Sequence, residues 1–230
     1  MRPLVIAIDG PSGAGKGTVA RTVAARLDYQ HVDTGAMYRA VAWKARATGT
    51  DLHDGASVAA LAAGATFDLG ARVRIDGEDV TEIIRTPDID RAAGIVAQHL
   101  ALREVLVARQ RSYGAGGGVV MEGRDIGSVV FPQADVKVYL DAAPEERARR
   151  RAGDAAHAAG RDAGVNAVAE ALEARDHTDR TRVVSPLRLA PDAVYIDTTH
   201  LGVDEVVQQV MRLVEARELT LRSEKFEARS

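Results

Sequence analysis

The sequence contains no cysteine. Disulfide scaffolds, thiolate zinc sites and cysteine nucleophiles are therefore excluded. Aromatic residues are few, Trp43 with five Tyr and three Phe, and none falls in a cofactor-box spacing, so they are read as core. The six His are scattered without H-E-x-x-H spacing, so no protein-held metal is expected. No apolar run approaches the roughly 18 residues of a membrane span. The N-terminal run at 4–8 stops at Asp9-Gly10, too short for the apolar region of a signal peptide. A soluble cytoplasmic protein with no membrane partner is expected. Positive charge is not in excess either: 30 Lys and Arg face 33 Asp and Glu, a net charge of -3. The electrostatic footprint of a nucleic-acid-binding domain is missing, and no nucleic-acid partner is expected. Lysine is scarce: Lys16, Lys44, Lys137 and Lys225 leave 26 of the basic residues as Arg. The Arg fork suits carboxylates and phosphates. In so Arg-rich a chain, only individually placed arginines carry functional weight.

At about 150 residues per domain, 230 residues make one domain, or one with a modest insert. The 46% hydrophobic content suffices for a sizeable core. The apolar run at 4–8 reads as a strand buried on both faces, as in a parallel sheet. Val19, Val23 and Leu27 mark one helix face over 16–27. Helical patterning returns at 35–47 and 56–63. Then the texture changes. Residues 66–80 alternate around an Asp76-Gly77 hairpin signal, a small antiparallel ribbon within an insert at about 64–95. A helix is expected at 99–113, a loop at 114–118, and strands at 119–122, 136–140 and 194–196. A basic helix follows Pro144, and the Gly- and Ala-rich residues 153–164 read as mobile. Further helices are expected at 166–181 and 203–217, with the last dozen residues fraying. Strands alternating with helices make a doubly wound α/β parallel sheet with helices on both faces. Ligands of such sheets bind beyond the carboxyl ends of the strands, where Asp9-Gly10, Asp33, Glu122 to Asp125 and Asp141 fall.

The sharpest motif is Gly10-Pro11-Ser12-Gly13-Ala14-Gly15-Lys16-Gly17-Thr18, a G-x-x-x-x-G-K spacing between an expected strand and an expected helix. Its glycines let backbone N–H groups wrap phosphates, the helix N-terminus faces the anion, and Lys16 reaches the terminal phosphates. The general pattern places Ser or Thr directly after Lys. Here Gly17 intervenes, which makes Thr18 a weak candidate for direct Mg²⁺ ligation.

The G-K-G-T loop resembles that of nucleoside monophosphate kinases, and the resemblance extends along nearly the whole chain. Asp33-Thr34-Gly35-Ala36-Met37-Tyr38-Arg39, Glu122-Gly123-Arg124-Asp125-Ile126-Gly127, Val129-Val130-Phe131-Pro132 and Arg175-Asp176…Asp179…Arg182…Ser185-Pro186-Leu187 occur in the order found in bacterial cytidylate kinases. The resemblance implies a single P-loop kinase domain over 1–230, with a monophosphate-binding insert at about 64–95 and a mobile lid at about 145–164. It implies transfer of the γ-phosphate of ATP to CMP or dCMP, with Mg²⁺ bound mainly through nucleotide phosphates, by a monomer. Arg39, Arg124 and Arg175 would grip the CMP phosphate. Arg103, Asp125 and Arg182 would face the cytosine, and Thr34 and Asp179 the ribose. Arg147, Arg149, Arg150 and Arg151 resemble lid arginines, of which Arg150 and Arg151, with Lys16, are the catalytic candidates. The family usually has Ser where Gly94 stands and Pro where Leu100 stands.

The chemistry fits such an acceptor. A phosphate oxygen is ionised at neutral pH, so positioning and charge neutralisation suffice and no strong base is needed. An ionised Asp125 can accept from the amino group of cytosine, and uracil has a carbonyl there. Rival readings are another small P-loop kinase acting on UMP, AMP or an alcohol, and a nucleotide-gated binding protein. An alcohol acceptor favours a positioned base, and a monophosphate acceptor needs the arginine cluster present here. Asp125 could instead serve as a structural partner of Arg124 or as a helix cap.

Overall fold

In the computed structural model, which describes residues 2–154 and 165–227, the first apolar run forms strand β1 (Val5–Asp9), buried at every position. It is the middle strand of a five-stranded sheet. The order is β2 (Gln30–Asp33), β6 (Val119–Gly123), β1, β7 (Val136–Asp141), β8 (Val194–Asp197), and every neighbouring pair is parallel. A parallel sheet needs cover on both faces. Alternation around β1 supplies it: Leu4, Ile6 and Ile8 enter one apolar layer, Val5 and Ala7 the other. Helices α1 (Lys16–Leu27) and α8 (Val203–Glu227) close the first layer through Val19, Val23, Val207 and Val210. The second layer takes α2 (Thr34–Ala47), α3 (Gly55–Gly64), α4 (Pro87–Val96) and α5 (Leu100–Gly114). Asp33 and Asp54 cap α2 and α3 by accepting hydrogen bonds from amides of their first turns.

The insert region carries three short antiparallel strands, β3 (Phe67–Leu69), β4 (Val73–Ile75) and β5 (Glu78–Asp79). Asp76 and Gly77 both have positive φ, as a two-residue hairpin turn requires. Leu69, Val73 and Ile75 join the same apolar layer as Met37 and Leu102, so this small sheet shares a core with one face of the large one.

Three features depart from the sequence reading. Strand β2 has no counterpart among the expected strand ranges, although Asp33 is expected at a strand end: on this edge only Val32 is buried and the segment reads as polar. Helix α4 was not expected inside the insert, although Ile89, Ala92, Ala93 and Val96 bury at helical spacing. Helix α8 runs past the expected end at 217 to Glu227, and of the last dozen residues 228–230 lie outside the described residues. Leu221 packs on the core, and Arg217 pairs with Glu224 and lies 4.0 Å from Asp135.

Beyond β7 the chain turns into α6 (Pro144–Ala152), and α7 (Val165–Thr181) packs against it through Ala148, Val168 and Leu172. Of the expected lid at 145–164, residues 155–164 lie outside the described residues. Arg147 departs from the expectation of a lid arginine. It is buried, donates to the carbonyls of Ala142 and Ser12, and forms an ion pair with the buried Asp176 of α7. It is a strut joining α6, α7 and the loop after β1. Removing one partner of a buried pair strands the other charge, at about 3–5 kcal/mol. Arg147→Ala is therefore expected to cost about that much stability in chemical denaturation. Arg147→Ala with Asp176→Ala should recover part of the loss, and a single-variant cost below about 1 kcal/mol would refute the strut.

Candidate active site

At the carboxyl ends of the strands lies a cleft of about 630 Å³. Residues 12–18 of the phosphate-loop motif line one end, while Gly10 and Pro11 are buried beneath it. Two of the glycines are required by close approach. A Cβ on Gly10, at φ 146°, would stand 1.9 Å from the Leu140 carbonyl oxygen of β7. On Gly13, at φ 81°, it would stand 2.7 Å from the Arg147 carbonyl oxygen of α6. The loop is thus pressed between a strand and a helix. Gly15, at φ 88°, opens α1, whose first amides face the cleft.

Lys16 is buried rather than solvated, and its Nζ donates to the Pro11 carbonyl at 2.7 Å. Burial, and next the Arg124 guanidinium, pull its pKa down to about 7, against the opposing pull of Glu122. A polyphosphate beside it would favour the ammonium form. A Cβ on Gly17 would stand 3.0 Å from Glu122 Oε1, so the carboxylate from β6 lies close against the position after Lys16. His31 Nε2 lies 3.1 Å from that same oxygen.

The other end of the cleft gathers every sequence-derived acceptor residue: Thr34, Arg39, Arg103, Arg124, Asp125, Arg175, Asp179 and Arg182. They arrive from α2, α5, the turn after β6, α7 and the segment after it. Each arginine is held by a carboxylate. Arg39 donates to Asp33 at 2.8 Å, and Arg124 Nε to Asp179 at 2.9 Å. Arg103 pairs with Asp125, and Arg182 bridges Asp179 at 3.3 Å and Asp125 at 4.0 Å. Asp125 is thus a partner of Arg103 and Arg182, not of Arg124. Thr34 donates its hydroxyl proton to the Glu122 carbonyl at 2.7 Å. Arg124 and its neighbouring arginines hold the Asp179 carboxyl below its ordinary value in spite of burial.

The arginine cluster retains capacity for a polar ligand. Arg39 Nε, Arg103 Nε, Arg182 Nη2 and Tyr38 Oη are buried without a hydrogen-bond partner. Buried donors are ordinarily satisfied, so a group of orphans around one cleft points to a ligand that completes them. The basic helix adds Arg150 and Arg151 to the lining. Arg150 pairs with Glu146 and donates to the hydroxyl and carbonyl of Thr198, and its Nη1 lies beside Gly15. Arg151 pairs with Asp90 of α4. Exposed Arg149 pairs with Glu146.

Sequence reasoning did not single out Tyr38, Arg85, Asp90 or Thr198. Tyr38 was findable: it stands four residues after Thr34 and one before Arg39 on α2, and the Arg103 guanidinium lies 5.5 Å from its ring centroid. The other three come from short or irregular segments whose direction only packing sets. Among the described residues, no three His, Cys, Asp or Glu side chains could enclose a metal, and no helix is long and apolar enough to cross a membrane.

The family model described as cytidylate kinase matches residues 6–216. The cytidylate kinase of Geobacillus kaustophilus (strain HTA426) is 48% identical over 221 residues, covering 94% of this chain and 98% of that protein. The cytidylate kinase of Pelotomaculum thermopropionicum is 48% identical over 217 residues, covering 92% of this chain and 96% of that one. A shikimate kinase structure from Bacteroides thetaiotaomicron overlays with a TM-score of 0.49 at 12% identity, over 92% of this chain and 98% of that one. That looser likeness adds nothing to the family match. The matched span runs from the first core strand into the closing helix and takes in every residue lining the cleft, and the chain belongs to the cytidylate kinase family.

Proposed function

We propose that this chain transfers the γ-phosphate of ATP to CMP or dCMP, giving ADP and CDP or dCDP. The observation that carries the reading is the meeting, in one cleft, of a phosphate-cradling loop and arginines with unsatisfied buried N–H groups. ATP phosphates lie on residues 10–18, with Lys16 at the terminal phosphates. Arg39, Arg124 and Arg175 take the acceptor phosphate, each able to offer two N–H groups to two oxygens. Arg103, Asp125 and Arg182 face the base. The Thr34 hydroxyl has its proton committed to Glu122 and keeps its lone pairs for a ribose hydroxyl, beside Asp179. Residues 64–95 act as the acceptor-binding insert, through Arg85, Ala93 and Gly94 at the cleft wall.

An acceptor phosphate oxygen attacks the γ-phosphorus as the bond to the ADP oxygen breaks, so the residues chiefly position and neutralise. α6, the described part of 145–164, brings Arg150 and Arg151 to the transferring group. Mg²⁺ would be carried mainly by the nucleotide phosphates, with Glu122 and Thr18 beside Gly17 available to its waters. When bound, it supplies neutralisation of phosphate charge.

An acceptor panel of CMP, dCMP, UMP, AMP and GMP, read by ADP release, tests the reading. CMP and dCMP should be the strongest acceptors, and ADP release independent of acceptor would overturn it. Lys16→Ala is expected to lower kcat by about a hundredfold or more, the scale of one lost preorganised electrostatic contact. Near-normal turnover in a folded variant would remove Lys16 from the chemistry.

Base choice should follow Asp125. Asp125→Asn is expected to reduce the CMP-over-UMP ratio of kcat/KM by about tenfold or more, because an amide can donate to a carbonyl as well as accept. An unchanged ratio with activity retained would show that Asp125 only holds Arg103 and Arg182. A Cβ on Gly94 meets nothing within 4 Å. Gly94→Ser should therefore preserve or improve CMP use, and a severalfold rise in the KM for CMP would show that the open space is needed.

A further inference from the structure

Asp90 stands in the first turn of α4, and its carboxylate reaches guanidinium groups from two other elements. Oδ2 pairs with Arg151 Nη2 of α6, and Oδ1 lies 3.3 Å from Arg175 Nη1 of α7. Its side chain is 17% exposed, against 16% and 26% for the two arginines. Arg39 of α2 stands near enough to feel the same charge. Arg39, Arg151 and Arg175 all line the cleft, whereas Asp90 itself stands behind that lining. One oxygen to each of two guanidiniums is also how a phosphate would hold the pair.

The other carboxylates of the acceptor end are delivered close to the strand ends or from the α7 arm itself. Asp33 ends β2, Asp125 follows β6, and Asp179 is on α7. Asp90 differs. It crosses from the small-sheet region to both helices that bring arginines from the far side. Arg151 and Arg175 repel each other, and so do Arg151 and Arg39. Asp90 offsets part of that repulsion, beside Asp33 on Arg39 and the charge of Asp154 near Arg151.

We propose that Asp90 is the internal counter-ion of the phosphate site, a carboxylate that holds Arg151 and Arg175 in position until a substrate phosphate displaces it. This rests on the reading of those two arginines as ligands of substrate phosphates. Two consequences follow from charge. An arriving phosphate dianion must take the arginines from a carboxylate and then lie near it, so Asp90 weakens ground-state binding. The same competition applies to inorganic phosphate, which lacks the base and ribose contacts that let CMP overcome it. Asp90 therefore trades affinity for selectivity against free anions. A purely structural role predicts the opposite sign, since loss of the pairing would leave the arginines dispersed and CMP bound more weakly.

Titration calorimetry of CMP onto the full chain, without ATP, separates the cases. Asp90→Asn is expected to lower the Kd for CMP by about tenfold or more, and the inhibition constant of inorganic phosphate by at least as much. Asp90→Glu keeps the charge and should bind CMP within about threefold of the unmodified chain. Arg175→Ala should weaken CMP binding in the same assay. If Arg175→Ala weakens binding but Asp90→Asn does not tighten it, the counter-ion role is overturned while the phosphate-site reading stands. If Arg175→Ala has no effect, the reading of Arg175 fails and takes the inference with it. Should Asp90→Asn not fold, Asp90→Ser, which also fits a first helical turn, gives the same outcomes.

Discussion

A guanidinium withdrawn from water must meet a counter-charge, and this cleft withdraws several at once. Isolated, such groups would cost far more than the fold could spare. The acceptor end is therefore organised as a chain of pairs, Arg39 with Asp33, Arg103 with Asp125, Arg182 with Asp125 and Asp179, Arg124 with Asp179, and Arg151 and Arg175 with Asp90. Because each carboxylate comes from a different element than most of its arginines, the pairs also fix how β2, α2, α4, α5 and α7 stand around the cleft. The arginines of the cleft are balanced locally, by acids that lie among them.

The phosphate loop is held by equally direct means. Gly10 touches β7 and Gly13 touches α6, while Arg147 ties the Ser12 carbonyl to Asp176. From the other side, the Thr198 hydroxyl donates to the Asp141 carbonyl at 2.9 Å with the Ala14 carbonyl 3.3 Å away, and accepts from Arg150. Asp9, at the end of the central strand, accepts the amides of Ile126 and Gly127 at 2.8 and 2.7 Å. Burial pushes its carboxyl up to about 6 even against those two bonds. That carboxylate locks the wide turn Ile126–Val130, directly after Arg124 and Asp125, onto the strand that leads into the phosphate loop. Donor and acceptor ends are thus referenced to the same strand, which in-line transfer between two bound nucleotides requires.

Much of this was legible because it is local. The run at 4–8, the glycine spacing of 10–18 and the Asp76-Gly77 turn each encode their backbone in consecutive residues. So do the helix faces of α1 and α5. Motif order then singled out the arginines at 39, 124 and 175 and the group at 103, 125 and 182, and the fold brings all six to one cleft. Where patterning misled, the local signal was weak. Strand β2 buries one side chain, α4 buries only Ile89, Ala92, Ala93 and Val96, and the polar end of α8 keeps Leu221 on the core.

The sequence by itself determined the parallel α/β architecture, the phosphate-loop motif and a set of polar residues that the fold gathers at one cleft, because periodicity and motif spacing are properties of neighbouring residues. It could not decide who pairs with whom. Arg147 and Arg150 are three residues apart on one basic helix, yet one is a buried strut to Asp176 and the other reaches Thr198 at the phosphate loop. Asp90 looks like an ordinary acidic residue in a helix first turn until α6 and α7 pack against it. Charge compensation at a buried site depends on distances between elements far apart in the chain, and only the tertiary structure sets those.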